Sequence, residues 1–194
     1  MIIGLTGQLQ SGKDTVADHL VENYGFIKLG FADSLKEAVA TLFDMSVEQV
    51  DRYKDDGVTC YWAGPKEWPL VSKTLGINMR AILQRMGTEV GRELFGSNFW
   101  VEMLERKLGA NGNYVIKDVR FKNESEAVYL WGGEMWRVLR PGFEGDTHAS
   151  EIEQQSLRVD MEISNEGTLE WLYNAVDEIM EVHYGRKRIS ASHG

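Results

Sequence analysis

Residues 1–20, MIIGLTGQLQSGKDTVADHL, decide the fold. Met1 to Thr6 form a short apolar run that stops at a glycine, which predicts a buried parallel strand. Asp14 to Tyr24 have apolar side chains at helical spacing, and Gly25 stands where glycine commonly ends a helix. Between them, Gly7 to Lys13 show the spacing Gly-x4-Gly-Lys. This pattern predicts a phosphate-binding loop, in which backbone N–H groups, the helix N-terminus and the lysine face an anion. The alternative is a glycine-rich turn with an accidental lysine.

The residue after the lysine is unusual for such a loop. The signature normally closes with Ser or Thr, whose hydroxyl binds Mg²⁺, and here Asp14 occupies that position. A carboxylate beside a polyphosphate repels it unless the carboxylate faces a metal ion or a hydrogen-bond donor. Thr15, one position further on, still offers a hydroxyl. We therefore predict that Asp14 faces either Mg²⁺ or a hydrogen-bond donor, and that the Thr15 hydroxyl reaches a phosphate.

The composition of the 194 residues fits one soluble globular domain, with 43% hydrophobic and 26% charged residues. The formal net charge of -9 argues against broad nucleic-acid binding, which needs a basic surface. Cys60 is the only cysteine, so no intramolecular disulfide forms, as in a reducing compartment. No apolar run reaches the about 20 residues of a membrane span, and no signal peptide is recognisable. We expect a cytoplasmic protein.

The rest of the chain alternates between strand and helix patterns, which predicts an α/β sandwich with a central, mainly parallel sheet flanked by helices. The predicted strands are 26–31, 114–119, 134–139 and 161–164. The predicted helices are 34–43, a short piece capped by Ser46, 78–95 capped by Asn78, 97–108, 124–131 and 168–183. Residues 54–76 are poorly periodic and predict either a mobile insert or a loop on the acceptor side, and 140–150 predict another loop.

For two of the predicted helices, the sequence indicates which side chains lie on each face. In the helix from Asn78, Arg80, Gln84 and Thr88 recur every four residues and form a polar row, which is either a binding surface or simply a solvated one. Four residues on another face are predicted to enter the core: Ile82, Leu83, Met86 and Val90. In the last helix an apolar stripe is predicted to pack on the sheet: Leu169, Leu172, Val176, Ile179 and Met180.

Asp118 ends the apolar strand in YVIKDVRFKNE, and Arg120 and Glu124 follow it. A carboxylate at the carboxyl edge of a sheet, beside a phosphate loop, is the usual layout for a group that acts on Mg²⁺ through water. The alternative is an aspartate that only caps the next helix. Lys117 interrupts the strand just before Asp118 and has no such explanation.

Several stretches together resemble the deoxynucleoside monophosphate kinases of bacteriophages, which are phosphate-loop enzymes related in fold to dephospho-CoA kinase. The resembling pieces cover roughly residues 1–172 in the family's order: GQLQSGKDTVAD, FADSLKEA, RAILQRMGTEVGRELFGSNFW, VIKDVRFKNE, LRPG, HASE and ISNEGTLEWL. The combination is specific, although each piece alone is not. Residues 61–68 match nothing in the family that we can assign, which leaves base selectivity open.

The resemblance implies transfer of the γ-phosphoryl group of ATP, with Mg²⁺, to a deoxynucleoside 5′-monophosphate. It implies catalytic roles for Lys13, Asp33, Asp118 and Arg120, and metal contacts for Asp14, Thr15 and Asp118. The implied ATP-binding residues are Gly7, Ser11, Gly12, Lys13, Asp14, Thr15 and Asn165. The implied acceptor-side residues are Lys36, Arg80, Gln84, Gly87, Thr88, Trp100, Arg120, Glu124 and Arg140. Trp100 or Phe99 would stack on the base, although a core position explains either aromatic equally well.

The resemblance also implies a domain layout and partners. We expect one kinase domain over residues 1–185, with its core at 1–53 and 112–185, a helical acceptor insert at 54–111 and a lid at 140–158. Residues 186–194 are basic and predict a disordered tail. The expected partners are small nucleotides, without nucleic acid or membrane, and a homodimer is a family-based expectation. Competing functions are a dephospho-CoA kinase-like activity, another small-molecule kinase, a nucleotide sensor without an acceptor, and a non-catalytic interaction module.

Overall fold

A five-stranded parallel sheet is the centre of the first of two units into which the chain divides. The computed structural model describes residues 1–55, 59–60, 77–141 and 154–189. The first unit comprises residues 1–31 and 104–194. Its strand order is β2-β5-β1-β6-β7, with bounds β1 Ile2–Thr6, β2 Ile27–Gly30, β5 Tyr114–Lys117, β6 Glu134–Leu139 and β7 Met161–Ser164. Every pair in this sheet is parallel, which confirms the predicted fold class.

Helices cover both faces of this sheet. Helix α1 (Lys13–Tyr24) and the last helix, α7 (Leu169–Tyr184), share one core with Ile3 and Leu5 of β1. Side chains alternate along a strand, so Gly4 between them faces the other side. A Cβ built on Gly4 would meet Val128 of helix α6 (Lys122–Leu130), which therefore lies on that other side. The sandwich places the carboxyl ends of the strands, where ligands of such sheets bind, on one edge.

The second unit, residues 32–103, is mainly helical. It contains α2 (Asp33–Leu42), α3 (Val47–Asp55), α4 (Met79–Arg85), a π-helix (Met86–Leu94) and most of α5 (Phe99–Glu105), with a two-stranded antiparallel sheet of β3 (Thr59–Cys60) and β4 (Ile77–Asn78). The predicted insert begins at residue 54, whereas this unit begins at 32, because α2 and α3 pack on α4 around Leu35, Val39 and Val50.

Both predicted caps in this unit are confirmed. The Asn78 side chain accepts a hydrogen bond from the backbone N–H of Ala81 at 2.7 Å, and Ser46 Oγ accepts one from Gln49 at 3.2 Å. The predicted loop at 54–76 is interrupted by β3, and its residues 56–58 and 61–76 lie outside the described part of the chain.

The helix from Asn78 changes its winding at Met86, and this change corrects one core prediction. Ile82, Leu83 and Met86 pack against the core of the second unit as predicted. Val90 is exposed instead. In the π-helix the backbone hydrogen bonds join residues five apart, so that Gly91 rather than Val90 is the buried residue. The spacing of an α-helix predicts the buried positions only as far as its i→i+4 hydrogen bonds continue, and here the π-helix replaces them from Met86.

The last helix also departs from its predicted stripe at one end. Leu172, Val176 and Met180 are buried and Ile179 packs beside them, but Leu169 is exposed. Leu169 is the first helical residue after the Thr168 cap, whose hydroxyl accepts from Trp171 N at 3.2 Å. The side chain at this position has no preceding turn to lie against, so it faces solvent.

Part of the predicted disordered tail is held in place. Arg186 Nη2 donates to Asn113 Oδ1 at 3.2 Å, and Ile189 N donates to Asn23 O at 2.7 Å. Arg188 pairs with Asp177 of α7. Residues 190–194 lie outside the described part of the chain. Within the described part, no helix is long and apolar enough to span a membrane.

Candidate phosphate-loop site

The loop between β1 and α1 depends on two glycines in conformations that other residues avoid. Gly7 has φ 143° and Gly12 has φ 106°. A Cβ on Gly7 would lie 2.3 Å from the carbonyl oxygen of Val138, and a Cβ on Gly12 would lie 2.7 Å from Asn165 Nδ2. Any side chain at either position would therefore strain the backbone and collide with its neighbours. The sequence folds this way because both glycines let the chain turn tightly against β6 and the segment after β7.

Lys13 is folded over the loop that precedes it. Its Nζ donates to the carbonyl oxygens of Gly7 at 2.6 Å and Gln8 at 2.7 Å, and it lies 3.9 Å from Asp118 Oδ1. The side chain is buried although it is the first residue of α1. The ammonium group is thus placed at the helix N-terminus, where the helix dipole and an anion-binding loop coincide.

Two predicted residues brace the loop from outside. Asn165 Nδ2 donates to Ser11 O at 2.8 Å, and Arg140 Nη1 donates to Gln10 O at 3.3 Å. Gln10 has φ 60°, a conformation that a non-glycine residue rarely adopts. Ser11 Oγ is buried and has no hydrogen-bond partner among the described residues. An unpartnered buried hydroxyl in a loop of N–H donors fits an oxygen-rich anion such as a phosphate.

Asp118 and Arg120 form an ion pair where β5 ends. Arg120 Nε and Nη2 lie 2.8 Å and 2.7 Å from Asp118 Oδ2, and both side chains are partly exposed. Asp118 has φ 62°, so the chain turns sharply after Lys117. This turn directs one carboxylate toward both Lys13 and Arg120. The first unit therefore concentrates two cations and one carboxylate beside the loop.

Glu124 has a structural task that the sequence did not reveal. Its Oε2 accepts hydrogen bonds from the backbone N–H groups of Arg120 at 3.0 Å and Phe121 at 3.3 Å, and the residue is 3% exposed. The carboxylate thereby caps α6. The capping role that was the alternative for Asp118 belongs to Glu124, which orients the backbone of Arg120.

Asp14 points toward a lysine of the neighbouring strand. Lys28 Nζ lies 3.1 Å from Asp14 Oδ1. Partial burial raises the pKa of Asp14, but the hydrogen bond from Lys28 and the charges of Lys28, Lys117 and Lys13 outweigh this effect, so the pKa lies below its ordinary value. Thr15 follows in the first turn of α1 and is partly buried. A hydrogen-bond donor, which was the second explanation for Asp14, is the one that the structure provides.

The oxygen atoms at this site suit Mg²⁺ in kind. The described residues contain no cluster of three or more His, Cys, Asp or Glu side chains able to hold a metal. Magnesium in phosphoryl-transfer sites uses one or two carboxylates together with substrate phosphates and water. Asp14, Thr15 and Asp118 carry oxygen atoms of this kind, and both carboxylates are paired with cations, Asp118 with Arg120 and Asp14 with Lys28.

A cavity of about 300 Å³ lies beside the loop in the same unit. Gly7, Gln8 and Arg140 line it together with Arg137 and Gln154, two residues that were not predicted as site residues. Arg137 donates to the carbonyl oxygen of Leu157 at 2.7 Å, and Gln154 donates to that of Val119 at 3.3 Å. The sequence does contain a sign that Arg137 has a special role, because a cation within the mainly apolar strand EMWRVL is as unusual as Lys117 in YVIK.

The predicted acceptor-side residues lie mainly in the second unit. Asp33 begins α2, and Lys36, one turn later, pairs with Asp51 of α3 at 2.6 Å. Arg80, Gln84 and Thr88 are exposed, and Arg80 Nη2 lies 3.4 Å from the carbonyl oxygen of Lys54. These side chains offer donors and positive charge on the surface of this unit.

Trp100 is a core residue rather than an exposed platform. It is 8% exposed, its Nε1 donates to Gly87 O at 2.8 Å, and its ring meets Phe99 edge to face with centroids 4.8 Å apart. A Cβ on Gly91 would lie 2.3 Å from Trp100 Nε1. The core alternative given for this tryptophan is therefore the one that the structure supports, and Gly87 positions it through a carbonyl.

The fold and the loop define the class of the protein. A parallel sheet with a Gly-x4-Gly-Lys loop between its central strand and the following helix is a phosphate-loop nucleotide-binding architecture. The chain belongs to the deoxynucleotide monophosphate kinase family. The family model of that description matches residues 69–176. A putative deoxynucleotide monophosphate kinase of Acanthamoeba polyphaga mimivirus is 33% identical over 91% of this chain and 94% of the relative.

A further relative and two solved structures are also similar to this chain. The deoxynucleotide monophosphate kinase of Enterobacteria phage T4 is 24% identical over 93% of this chain and 99% of the relative. Shikimate kinase from Aquifex aeolicus superposes with a TM-score of 0.49 and 16% identity, covering 93% of this chain and 94% of that one. Dephospho-CoA kinase from Campylobacter jejuni gives a TM-score of 0.44 and 12% identity, covering 93% and 95%. The family named by resemblance is confirmed, and it extends beyond bacteriophages to mimivirus.

Proposed function

We propose that this chain transfers the γ-phosphoryl group of ATP to a deoxynucleoside 5′-monophosphate, giving ADP and the deoxynucleoside diphosphate. The observation that carries the proposal is the convergence of Lys13 and Arg120 on Asp118 beside the glycine loop. Phosphoryl transfer needs alignment and charge neutralisation more than covalent help, and this arrangement offers both. The family membership of the chain points to the same reaction.

The donor half of the reaction is assigned to the first unit. The loop amides and Lys13 bind the β- and γ-phosphates, and the Ser11 hydroxyl gains in the phosphate the partner that it lacks among the described residues. Asn165 and Arg140 hold the loop backbone in the binding conformation. Asp118 and the Thr15 hydroxyl would hold Mg²⁺, which would supply neutralising charge to the phosphate oxygens when bound.

The acceptor half is assigned to the second unit. The guanidinium group of Arg80 offers a planar fork to a monophosphate, and that of Arg120 offers one to the phosphoryl group in transfer. Gln84 and Thr88 supply donors and acceptors for a base or sugar. Asp33 orients the acceptor, and Lys36 offsets the charge of the acceptor phosphate after leaving Asp51. No strong general base is required, because the acceptor phosphate is already anionic. We further propose that the enzyme acts in the cytoplasm, as a homodimer.

The test is a product assay over a panel of acceptors. The purified chain is incubated with ATP and Mg²⁺ and with each deoxy- and ribonucleoside monophosphate in turn, and nucleoside diphosphates are separated by chromatography. We expect ADP to appear only together with a second diphosphate. Dephospho-CoA serves as the control for the related kinase activity. ATP hydrolysis that ignores every monophosphate would indicate a nucleotide sensor or hydrolase and contradict the proposal.

A further inference from the structure

Lys28 on the edge strand β2 lies between two carboxylates of α1. Its Nζ is 3.1 Å from Asp14 Oδ1 and 2.8 Å from Asp18 Oδ1. The Lys28 side chain is 24% exposed, whereas that of Asp14 is 76% exposed. The lysine is therefore the better fixed partner, because its aliphatic part is covered by protein. Asp18 gives the ammonium a second anchor one turn further along the helix.

A second lysine on the adjacent strand faces the same side of the sheet. The parallel register pairs Lys28 with Val115 and Gly30 with Lys117. Side chains alternate along strands, so Lys28 and Lys117 point to the same face, the one over which Asp14 lies. The charge of Lys117 acts on Asp14 together with those of Lys28 and Lys13. This arrangement explains why the otherwise apolar strand β5 ends in a lysine.

The position of Asp14 makes this neutralisation useful for anion binding. Asp14 is the second residue of the helix that begins at the phosphate loop, where a hydroxyl usually stands. An uncompensated carboxylate there repels a polyphosphate over several ångströms, since part of its surroundings is protein rather than water. An exposed ion pair contributes little to folding stability. The effect of Lys28 is therefore expected in nucleotide binding rather than in unfolding.

We propose that Lys28 is a positioning residue, which holds Asp14 in an ion pair so that the loop accepts the polyphosphate of ATP despite its carboxylate. The proposal rests on the proposed function in one respect, namely that ATP binds at this loop. Under this proposal Asp14 forms the ion pair with Lys28, and the contacts with Mg²⁺ are those proposed above for Asp118 and Thr15. The competing account is that Asp14 only stabilises the N-terminus of α1 through the helix dipole, in which case Lys28 has no effect on ATP.

A set of variants with different charges at Lys28 and Asp14 separates the two accounts. Isothermal titration calorimetry measures the affinity of each variant for ATP, with and without Mg²⁺ and without acceptor. Lys28→Met removes the lysine that pairs with Asp14, and we expect ATP to bind about tenfold more weakly. Asp14→Asn makes the local charge one unit more positive than in the unaltered chain, and we expect about threefold tighter binding. The double variant restores the local charge balance, so its affinity is expected to return to within about threefold of the unaltered chain. Lys28→Arg keeps the charge and is expected to bind like the unaltered chain.

The control removes the same charge elsewhere in the first unit. Lys122 pairs with Glu126 at 3.7 Å on the exposed side of α6, so Lys122→Met is expected to leave ATP affinity unchanged. Thermal unfolding of each variant reports whether the fold survives, and Lys28→Gln repeats the test if the methionine variant unfolds. Unchanged affinity in Lys28→Met, or a double variant as weak as Lys28→Met alone, overturns the inference. An unaltered chain that does not bind ATP contradicts the proposed function itself, and the inference with it.

Discussion

The phosphate loop and the polar row of the second unit differ in how their side chains are held. In the loop, Lys13 is buried and makes two short bonds to backbone carbonyls. In the polar row, Arg80, Gln84 and Thr88 are exposed, and the guanidinium of Arg80 reaches only as far as Lys54 O at 3.4 Å. One region is organised by backbone geometry before any ligand binds, and the other consists of exposed donors on a helix surface.

This difference has a consequence for energetics. A preorganised group incurs no ordering cost when the ligand binds, and its removal costs the full interaction. A surface side chain must lose rotamer freedom on binding, so its net contribution is smaller. Substitutions in the loop should therefore reduce the rate most, and those in the polar row should act more weakly and on one substrate.

Lys13→Ala is expected to have the largest effect. The substitution removes the only loop side chain whose charge faces the transferred phosphoryl group in the proposed reaction, and we expect kcat/KM to fall about 10³-fold. Steady-state kinetics with ATP and the best acceptor measures the loss, and circular dichroism checks the fold. Lys122→Ala, which removes an exposed lysine from the same unit, is the matched control. Near-normal turnover in Lys13→Ala would remove Lys13 from the site.

Arg120→Ala is expected to rank second, with a loss of about 10²-fold in kcat. Arg120 is half exposed, but Glu124 fixes its backbone and Asp118 fixes its guanidinium, so it belongs to the organised region. Arg120→Lys keeps the charge and loses the fork, and we expect it to recover only part of the rate. If Arg120→Ala changed only the KM for the acceptor, Arg120 would act like the exposed side chains of the polar row and not as part of the organised region.

The difference between the regions also explains how far the sequence could predict the fold. The strands of the first unit follow from short apolar runs, and 134–139 and 161–164 were predicted with the bounds that the structure has. Buried parallel strands carry a strong local signal because both of their faces are covered. The π-helix that begins at Met86 carries none, and within it Gly91 lies directly against Trp100. That tertiary contact is why Val90 was assigned to the wrong face.

The site was predictable where chemistry and spacing coincide. Gly7, Gly12 and Lys13 follow from the loop pattern, and Asp118 from its place at a strand end. The partners that orient these residues come from distant parts of the chain, and no local pattern links Asn165 to Ser11 or Lys28 to Asp14. Polar residues inside apolar strands were the usable signal for Lys117 and Arg137, because such residues persist only where a partner compensates them.

Gly91→Ala tests the core of the second unit and is expected to cost about 2 kcal/mol of folding stability. The new methyl group would lie 2.3 Å from the Trp100 indole, which is fixed by its bond to Gly87 O. Gly87→Ala is the matched control, since its methyl group would meet only the end of the flexible Leu35 side chain at 3.1 Å. Urea unfolding measures both. Equal stability of the two variants would show that Trp100 is not the core contact described above.

Gln84→Ala is expected to raise the KM for the acceptor about tenfold and to leave the KM for ATP unchanged, because Gln84 lies in the exposed polar row of the second unit. Arg85→Ala is the neighbouring control, since Arg85 pairs with Glu89 at 3.0 Å along the helix surface. Kinetics with each substrate varied in turn separates the two constants. A loss shared equally by both substrates would erase the distinction between an organised donor region and a separate acceptor surface.

Asp177→Asn probes the support behind α1, and its effect is expected to be the smallest, at about 1 kcal/mol at pH 7. Burial raises the pKa of Asp177, but hydrogen bonds from Arg188, His19 and Tyr24 outweigh this effect and leave it below the ordinary value of 3.8. A lowered folded-state pKa means that the stabilisation is present above pH 3.8 and lost as the pH falls through the folded-state pKa.

The unaltered chain and the asparagine variant should therefore differ in unfolding free energy at neutral pH, and the difference should shrink below pH 3.8 and vanish once the pH has fallen through the folded-state pKa. Glu181→Gln is the control on the same helix, because Glu181 makes only a long, exposed pair with Lys187 at 3.9 Å and should contribute almost nothing. Denaturant unfolding over a pH series measures both variants. A difference that stays constant down to low pH would mean that the Asp177 charge is not what ties α1 to α7 and the C-terminal segment. The contact between α1 and α7 would then rest on the apolar core that they share.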